Sequence, residues 1–233
     1  MSKYNLIGVG SNAKTIKGDG AEYLTGILYL APADIVKGIV MCAMAEMAGC
    51  KDPCLYSAGR GAFNTVQAAR IRKTMLYRDN RELFHSLLRL DLDKFLSHCE
   101  KKGVKPVIRF NGTSDRNFLD IIKEYPQIQF YDYTKNYNRV AKKLPDNYHL
   151  TLSYSEANPS YAKNVIRECL KHNVNMAVVF RDKNKIPKYF KGMPVISGDN
   201  DDLRFLDPSN TPHVVALYAK GKAKKDTSGF VIN

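Results

Sequence analysis

The sequence predicts an α/β fold of six to seven mostly parallel strands, read as a partial or distorted (β/α) barrel. Three observations predict it. Short apolar runs recur with starts 19 to 27 residues apart, and helical periodicity fills several of the gaps. Each run also leads straight into polar residues, the pattern of buried parallel strands that deliver loops to one edge. At 233 residues the chain is long enough for a single α/β domain over 1–233, with a cysteine-bearing loop at 32–60.

The elements follow in order. A polar, Gly-rich stretch from Gly8 to Gly20 reads as loop, and Tyr23–Ala31 is an apolar and β-branched run stopped by Pro32. Gly61–Arg78 reads as a helix, then Asn80–Leu90 and Asp91–Lys102 as two more, with Gly103 as a C-terminal cap. Strands are expected near Val107, Ile128, His149, Met176, Val195 and Val214, with helices over Asp115–Tyr125, Asn136–Leu144 and Pro159–Asn173. The last two crossovers are short and rich in Gly, Pro and Asp, too short for the usual helical connection.

Thirty-six Lys and Arg against 23 Asp and Glu give a formal charge of +13. Such an excess favours a polyanionic partner such as nucleic acid, because cationic surfaces release counterions from phosphate backbones. No segment reaches the roughly 18 apolar residues of a membrane span, and the opening residues lack a signal-peptide core. The five cysteines, an odd number, fit a reducing cytoplasmic setting better than a disulfide framework.

Three of those cysteines cluster. Cys42, Cys50 and Cys54 form a C-x7-C-x3-C pattern directly after the first long strand and before a basic helix. Thiolates bind soft or borderline metals, and three nearby sulfurs suit zinc or an iron–sulfur cluster. Closed zinc sites want four ligands, whereas the first histidine of the chain is His85. Three cysteines without an evident fourth fit a four-iron cluster with one iron left open. The alternative is three small apolar residues in a buried Ala- and Met-rich segment. Cys99 and Cys169 fall at apolar helix positions and read as core, with a fourth cluster ligand as the alternative role for either.

The strand ends supply polar candidates for the same rim: Asn111, Thr113, Asp115, Asp132, Lys135, Ser153, Ser155, Glu156, Asp199, Asp202 and Lys220. They are expected to contact a cofactor or substrate, although Asp115 and Ser155 also suit helix caps. Arg60, between Gly59 and Gly61, is expected to approach a cluster or anionic ligand closely.

The order of strand, three-cysteine loop, helix and further β-α units resembles the radical S-adenosylmethionine partial-barrel proteins. The phrases CLYSAGRGAFNTVQAARIRKT (54–74), VIRFNGTSD (107–115), FYDYTK (130–135), HLTLSYSE (149–156), VISGDNDDLRFLDP (195–208) and AKGKAKKDTSGFV (219–231) resemble a phage- and plasmid-encoded family of uncharacterised function. The first resemblance implies an iron–sulfur cluster, of the 4Fe-4S type, on the three cysteines, with S-adenosylmethionine as cofactor and redox or radical chemistry at the rim. This spacing differs from the C-x3-C-x2-C usual in those enzymes. The second implies a phage protein working in the host cytoplasm.

Two other classes compete. A metal-dependent nuclease would use Asp115, Asp132, Glu156, Asp199 and Asp202 to hold Mg²⁺, with Lys135 or Lys220 opposing developing charge. A non-catalytic nucleic-acid-binding module would lay Arg70, Arg72, Lys73 and Arg78 along a phosphate backbone. Phosphate-cradling motifs are absent: Gly8-Val9-Gly10 and Gly18-Asp19-Gly20 lack both the P-loop lysine and the dinucleotide fingerprint.

Overall fold

The structure, a computed structural model, describes residues 5–10, 20 and 22–233. Its strands are β1 (Ile7–Val9), β2 (Tyr23–Leu28), β3 (Lys105–Arg109), β4 (Gln129–Thr134), β5 (Tyr148–Ser153), β6 (Met176–Phe180), β7 (Tyr189–Phe190), β8 (Met193–Ser197), β9 (Val214–Tyr218) and β10 (Val231–Ile232). The α-helices among the described residues are α1 (Asn64–Asp79), α2 (Arg81–Lys102), α3 (Leu119–Glu124) and α4 (Pro159–His172).

All ten strands join one open sheet in the order β1-β2-β3-β4-β5-β6-β9-β8-β7, with β10 added to β6. Strands β2, β3, β4, β5, β6, β9 and β8 run parallel, whereas β1 and β7 are antiparallel edges. This corrects the expected six- to seven-stranded barrel. Closure would need the free edge of β2 to pair with the far side of the sheet. That edge is already taken by β1, through Ile7↔Leu28 and Val9↔Gly26, and the far edge is taken by β7. The TIM-barrel-like description does not hold.

The helices cover one face of the sheet. Phe84, Leu88, Leu92 and Phe95 of α2 and Tyr161, Val165 and Cys169 of α4 pack with Ile108, Phe130, Leu150, Leu152, Val178 and Val214 in one core cluster. Full burial of each such side chain contributes about 1.5–3 kcal/mol, so this layer holds the sheet in register. Residues of opposite parity face the other side. There Val107 and Tyr131 pack with Leu203, Tyr23 and Phe205, because the segment after β8 crosses beneath the sheet.

Two expected helices, Asn80–Leu90 and Asp91–Lys102, are one. Asn80 caps α2 by accepting from Leu83 N at 2.9 Å, and Gly103 closes it at φ 66°. Asp91, expected at a helix start, is buried in mid-helix. Its carboxylate accepts from the backbone N–H groups of Asn5, Leu6 and Ile7, which anchors edge strand β1.

Two other helices shrink. The expected Asp115–Tyr125 helix begins only at Leu119, and Asn136–Leu144 retains a single 3₁₀ turn at Tyr137–Arg139. Both losses trace to Asp115, discussed below. The Gly8–Gly20 loop falls partly outside the described residues, and Ile7–Val9 is strand rather than loop.

Candidate functional site

The parallel strands point their carboxyl ends to one edge, and the cysteine loop folds over it. After β2 the chain turns at Pro32, and Met41 N donates to Ala33 O at 2.6 Å. The Cys42 thiol accepts from Ala33 N at 3.4 Å and lies 3.9 Å from the carbonyl of Thr113. The hydroxyl of Thr113 donates to Leu30 O at 2.6 Å, tying the loop after β3 to the cysteine loop.

Gly49 sets how closely this loop docks. Its φ is +62°, and a Cβ there would meet Ala157 Cβ at 2.5 Å and Ser228 Oγ at 2.8 Å. Glycine alone lets the segment carrying Cys50 lie flat against the loop after β5, where Ser228 Oγ donates to Gly49 O.

Cys42, Cys50 and Cys54 are half-buried free thiols, close enough for the charge of one to act on another. Burial pushes all three thiols up, Cys42 to about 12, so the thiol form prevails at neutral pH. Lys135, just beyond β4, is the common neighbour. Burial pulls its ammonium down, while Cys50, Asp115, Cys54 and Cys42 hold it up. Among the described residues it forms no ion pair, and its Nζ sits 4.4 Å from the Phe230 ring centroid.

Phe230 is brought there by an unusual pairing. β5 meets only Met176 and Ala177 at the start of β6, and β10 pairs with Val179 and Phe180 further along. The last strand is therefore wedged where β5 and β6 part. Glu156 N donates to Gly229 O at 2.8 Å and Arg181 N to Ile232 O at 2.8 Å, which fastens both sides of the wedge.

The remaining predicted residues separate into groups. Asp115 accepts from Thr134 Oγ1, Lys135 N, Asn136 N and Arg139 Nη1, the last at 2.6 Å. It thus organises the β4 loop instead of starting a helix, and holding Arg139 there leaves the β4–β5 crossover without one. Asn111 and Asp132 bond each other twice, and Tyr148 donates to Asp132 at 3.0 Å. Both are buried framework beneath the edge.

Ser153 offers its carbonyl to the Tyr161 hydroxyl at 2.7 Å, and the buried Ser155 lies 3.3 Å from Gly229 O. Glu156 pairs with Lys191 at 3.0 Å in an open groove of about 460 Å³ beside α4, away from the thiols. Asp199 lies 3.6 Å from Lys220 near the surface. Asp202 is buried under the sheet, bound to Arg109, Tyr131 and Tyr133.

Arg60 is exposed. The cation that its turn approaches is Arg70, which the basic pattern of α1 placed on the outside. Arg70 is 7% exposed and lies over the rings of Tyr29 and Tyr56, 4.7 and 5.4 Å from their centroids. Lys73 donates to Leu6 O, and Arg78 to Asp79 and Lys37 O, so these cations are engaged within the molecule. Gly61 was the available signal for Arg70, since a Cβ there would stand 3.2 Å from Arg70 Nη1.

The metal-binding, iron–sulfur and radical-enzyme description of the site needs a correction. Among the described residues no group of three or more His, Cys, Asp and Glu side chains is arranged to hold a metal ion. The charges of the cysteines act on one another, but as half-buried thiols engaged with the backbone they present no ready ligand set. The nuclease carboxylates do not converge either, for the reasons just given.

The model of the Gene product 88 family matches residues 5–233. The chain belongs to this family. It is a phage-type family, as the resemblance of the sequence phrases implied. No curated protein matches the chain, and no solved structure matches it. In this Gene product 88 protein no helix among the described residues is long and apolar enough to cross a membrane.

Proposed function

We propose that the chain is a redox protein whose working centre is the three-cysteine pocket at the carboxyl edge of the sheet. The observation that carries this reading is Lys135, which sits beside all three thiols and Asp115 and, among the described residues, forms no ion pair. Removing a proton from a buried thiol is costly by itself, and an adjacent cation offsets that cost. Thiolates are the donors an iron–sulfur cluster takes, so the reading requires the three thiols to ionise and to move from the arrangement described above, with Lys135 and the nearby Arg70 balancing the added negative charge.

Cys42, Cys50 and Cys54 would hold the cluster, which would supply electron transfer, and S-adenosylmethionine is the cofactor that the resemblance to radical enzymes implies. The chain's own groups do the rest. Thr113 and Asp115 hold the neighbouring loops, Phe230 covers Lys135, and Gly49 brings the cysteine loop close enough to share the pocket.

Anaerobic purification with an absorbance spectrum and iron and sulfide assays tests the reading. Brown, iron- and sulfide-bearing protein that bleaches in Cys50→Ala supports it. Colourless protein that stays iron-free after anaerobic reconstitution overturns it, and stoichiometric zinc would reassign the cysteines to a structural role. Equilibrium dialysis with S-adenosylmethionine then tests the radical-enzyme form of the proposal.

A second reading concerns partners. Exposed Lys183, Lys185, Lys222, Lys224 and Lys225 follow the adjacent strands β6 and β9 on the same edge, joined where Arg181 donates to Lys224 O and Asp226 O. This favours a nucleic-acid backbone as partner. The salt dependence of oligonucleotide binding should flatten in K222E/K224E/K225E more than in the charge-matched K94E/K101E/K102E on α2. Equal slopes would reduce the effect to net charge.

A further inference from the structure

Buried arginines elsewhere in the molecule have carboxylates. Arg109 meets Asp202 at 2.9 Å, Arg139 meets Asp115 at 2.6 Å, and Arg204 meets Asp201 and Asp207 at 3.0 and 3.1 Å. Arg70 is as deeply placed as these, yet among the described residues its Nε and Nη1 are buried with no hydrogen-bond partner. The ionisable groups that act on it are Tyr29, Tyr56 and Cys54, and burial pushes both Tyr56 and Cys54 towards their neutral forms.

The surroundings satisfy the faces of the guanidinium and leave its edge. Tyr29 and Tyr56 lie against the planar cation, a contact that uses its π-faces. The N–H donors radiate in the plane of the group and match two oxygens of a carboxylate or phosphate. Gly61 keeps the covering turn free of a side chain, since a Cβ would lie 2.9 Å from Tyr56 O and 3.2–3.3 Å from Nη1 and Nη2.

We propose that Arg70, flanked by Tyr29 and Tyr56, is a binding site for the oxyanion group of a small-molecule ligand, a carboxylate or a phosphate, beside the cysteine pocket. Such a ligand would be held by its anionic end at Arg70 with its remainder directed along the carboxyl edge. The site stands on Arg70 and its neighbours and does not require the cysteines to hold a cluster.

The test is thermal unfolding of the full chain, titrated with inorganic phosphate or with acetate at constant ionic strength. The chain should be stabilised saturably by one of them, and the responsive anion identifies the ligand's group as phosphate or carboxylate. Arg70→Met should weaken that anion at least tenfold and melt no lower than wild type without it, since a buried unpaired charge has been removed. Arg70→Lys, which keeps charge but not the fork, should also bind it more weakly, and covers the case in which Arg70→Met fails to fold. Lys94→Ala, exposed on α2, should respond as wild type does.

No stabilisation by either anion would overturn the proposal, as would an unchanged response in both Arg70 variants. Loss of the response in Cys54→Ala with Arg70 intact would place the anion effect at the sulfur and not at Arg70, and would also overturn the proposal.

Discussion

Two buried polar regions lie on different sides of this sheet, and they are built on opposite principles. Beneath it, Asp202 takes Arg109, Tyr131 and Tyr133 together, and Arg204 reaches Asp201 and Asp207. Each charge there meets an opposite charge supplied by the chain. At the carboxyl edge, Lys135 faces three thiols, Asp115 and the Phe230 ring, and Arg70 faces a thiol and two aromatic rings. Paired charges fasten the crossing segment to the sheet, whereas Arg70, with no carboxylate partner among the described residues, is the cation proposed above to take an external anion.

Breaking the paired region should have the largest effect. Asp202→Ala leaves Arg109 buried opposite nothing and should cost about 3–5 kcal/mol in chemical denaturation. A loss below about 1 kcal/mol would mean that water already shares this network, and the contrast would dissolve.

Acid offers a second way in. Burial, reinforced by the nearby Arg204, depresses His149 from 6.5 to about 4, and its Nε2 has no hydrogen-bond partner. The folded protein keeps this imidazole neutral while the unfolded chain protonates it. Stability should therefore fall as pH drops from about 6.5 to about 4, by an amount on the order of 3 kcal/mol. His149→Gln should flatten that part of the pH profile, and an unchanged profile would assign the loss to the carboxylates.

At the carboxyl edge the sign should differ. Arg70→Met is expected to change stability by less than about 1 kcal/mol or to raise it, because no partner is orphaned. A loss comparable to that of Asp202→Ala would make Arg70 part of the framework. The smallest effect is expected at the partly exposed Asp199–Lys220 pair, where Asp199→Ala should stay within about 0.5 kcal/mol.

Much of the sheet was legible in the sequence, because apolar runs such as Val107–Phe110 and Ile128–Tyr131 are long enough to show a pattern. The edge strands were not. β1 is three residues inside a Gly-rich stretch and β7 is two, and without them only the two short final crossovers in the sequence opposed a barrel. The location of the cysteine loop after the first long strand was readable from order alone. Arg70 was not, since Arg-Ile-Arg-Lys looks like a solvated helix face until the turn at Gly61 folds over it. Asp202 was misplaced because a crossing segment, invisible to local periodicity, carries it under the sheet.

The wedge formed by β10 has a temporal meaning. Residues 226–232 leave the ribosome after all the other strands, yet they supply the aromatic cover of Lys135 and part the ends of β5 and β6. Until they arrive, the cysteine loop, which was made far earlier, lacks Ser228 as its partner at Gly49. The cysteine loop and Lys135 therefore gain their last contacts, Ser228 and Phe230, only after the rest of the described sheet has been made.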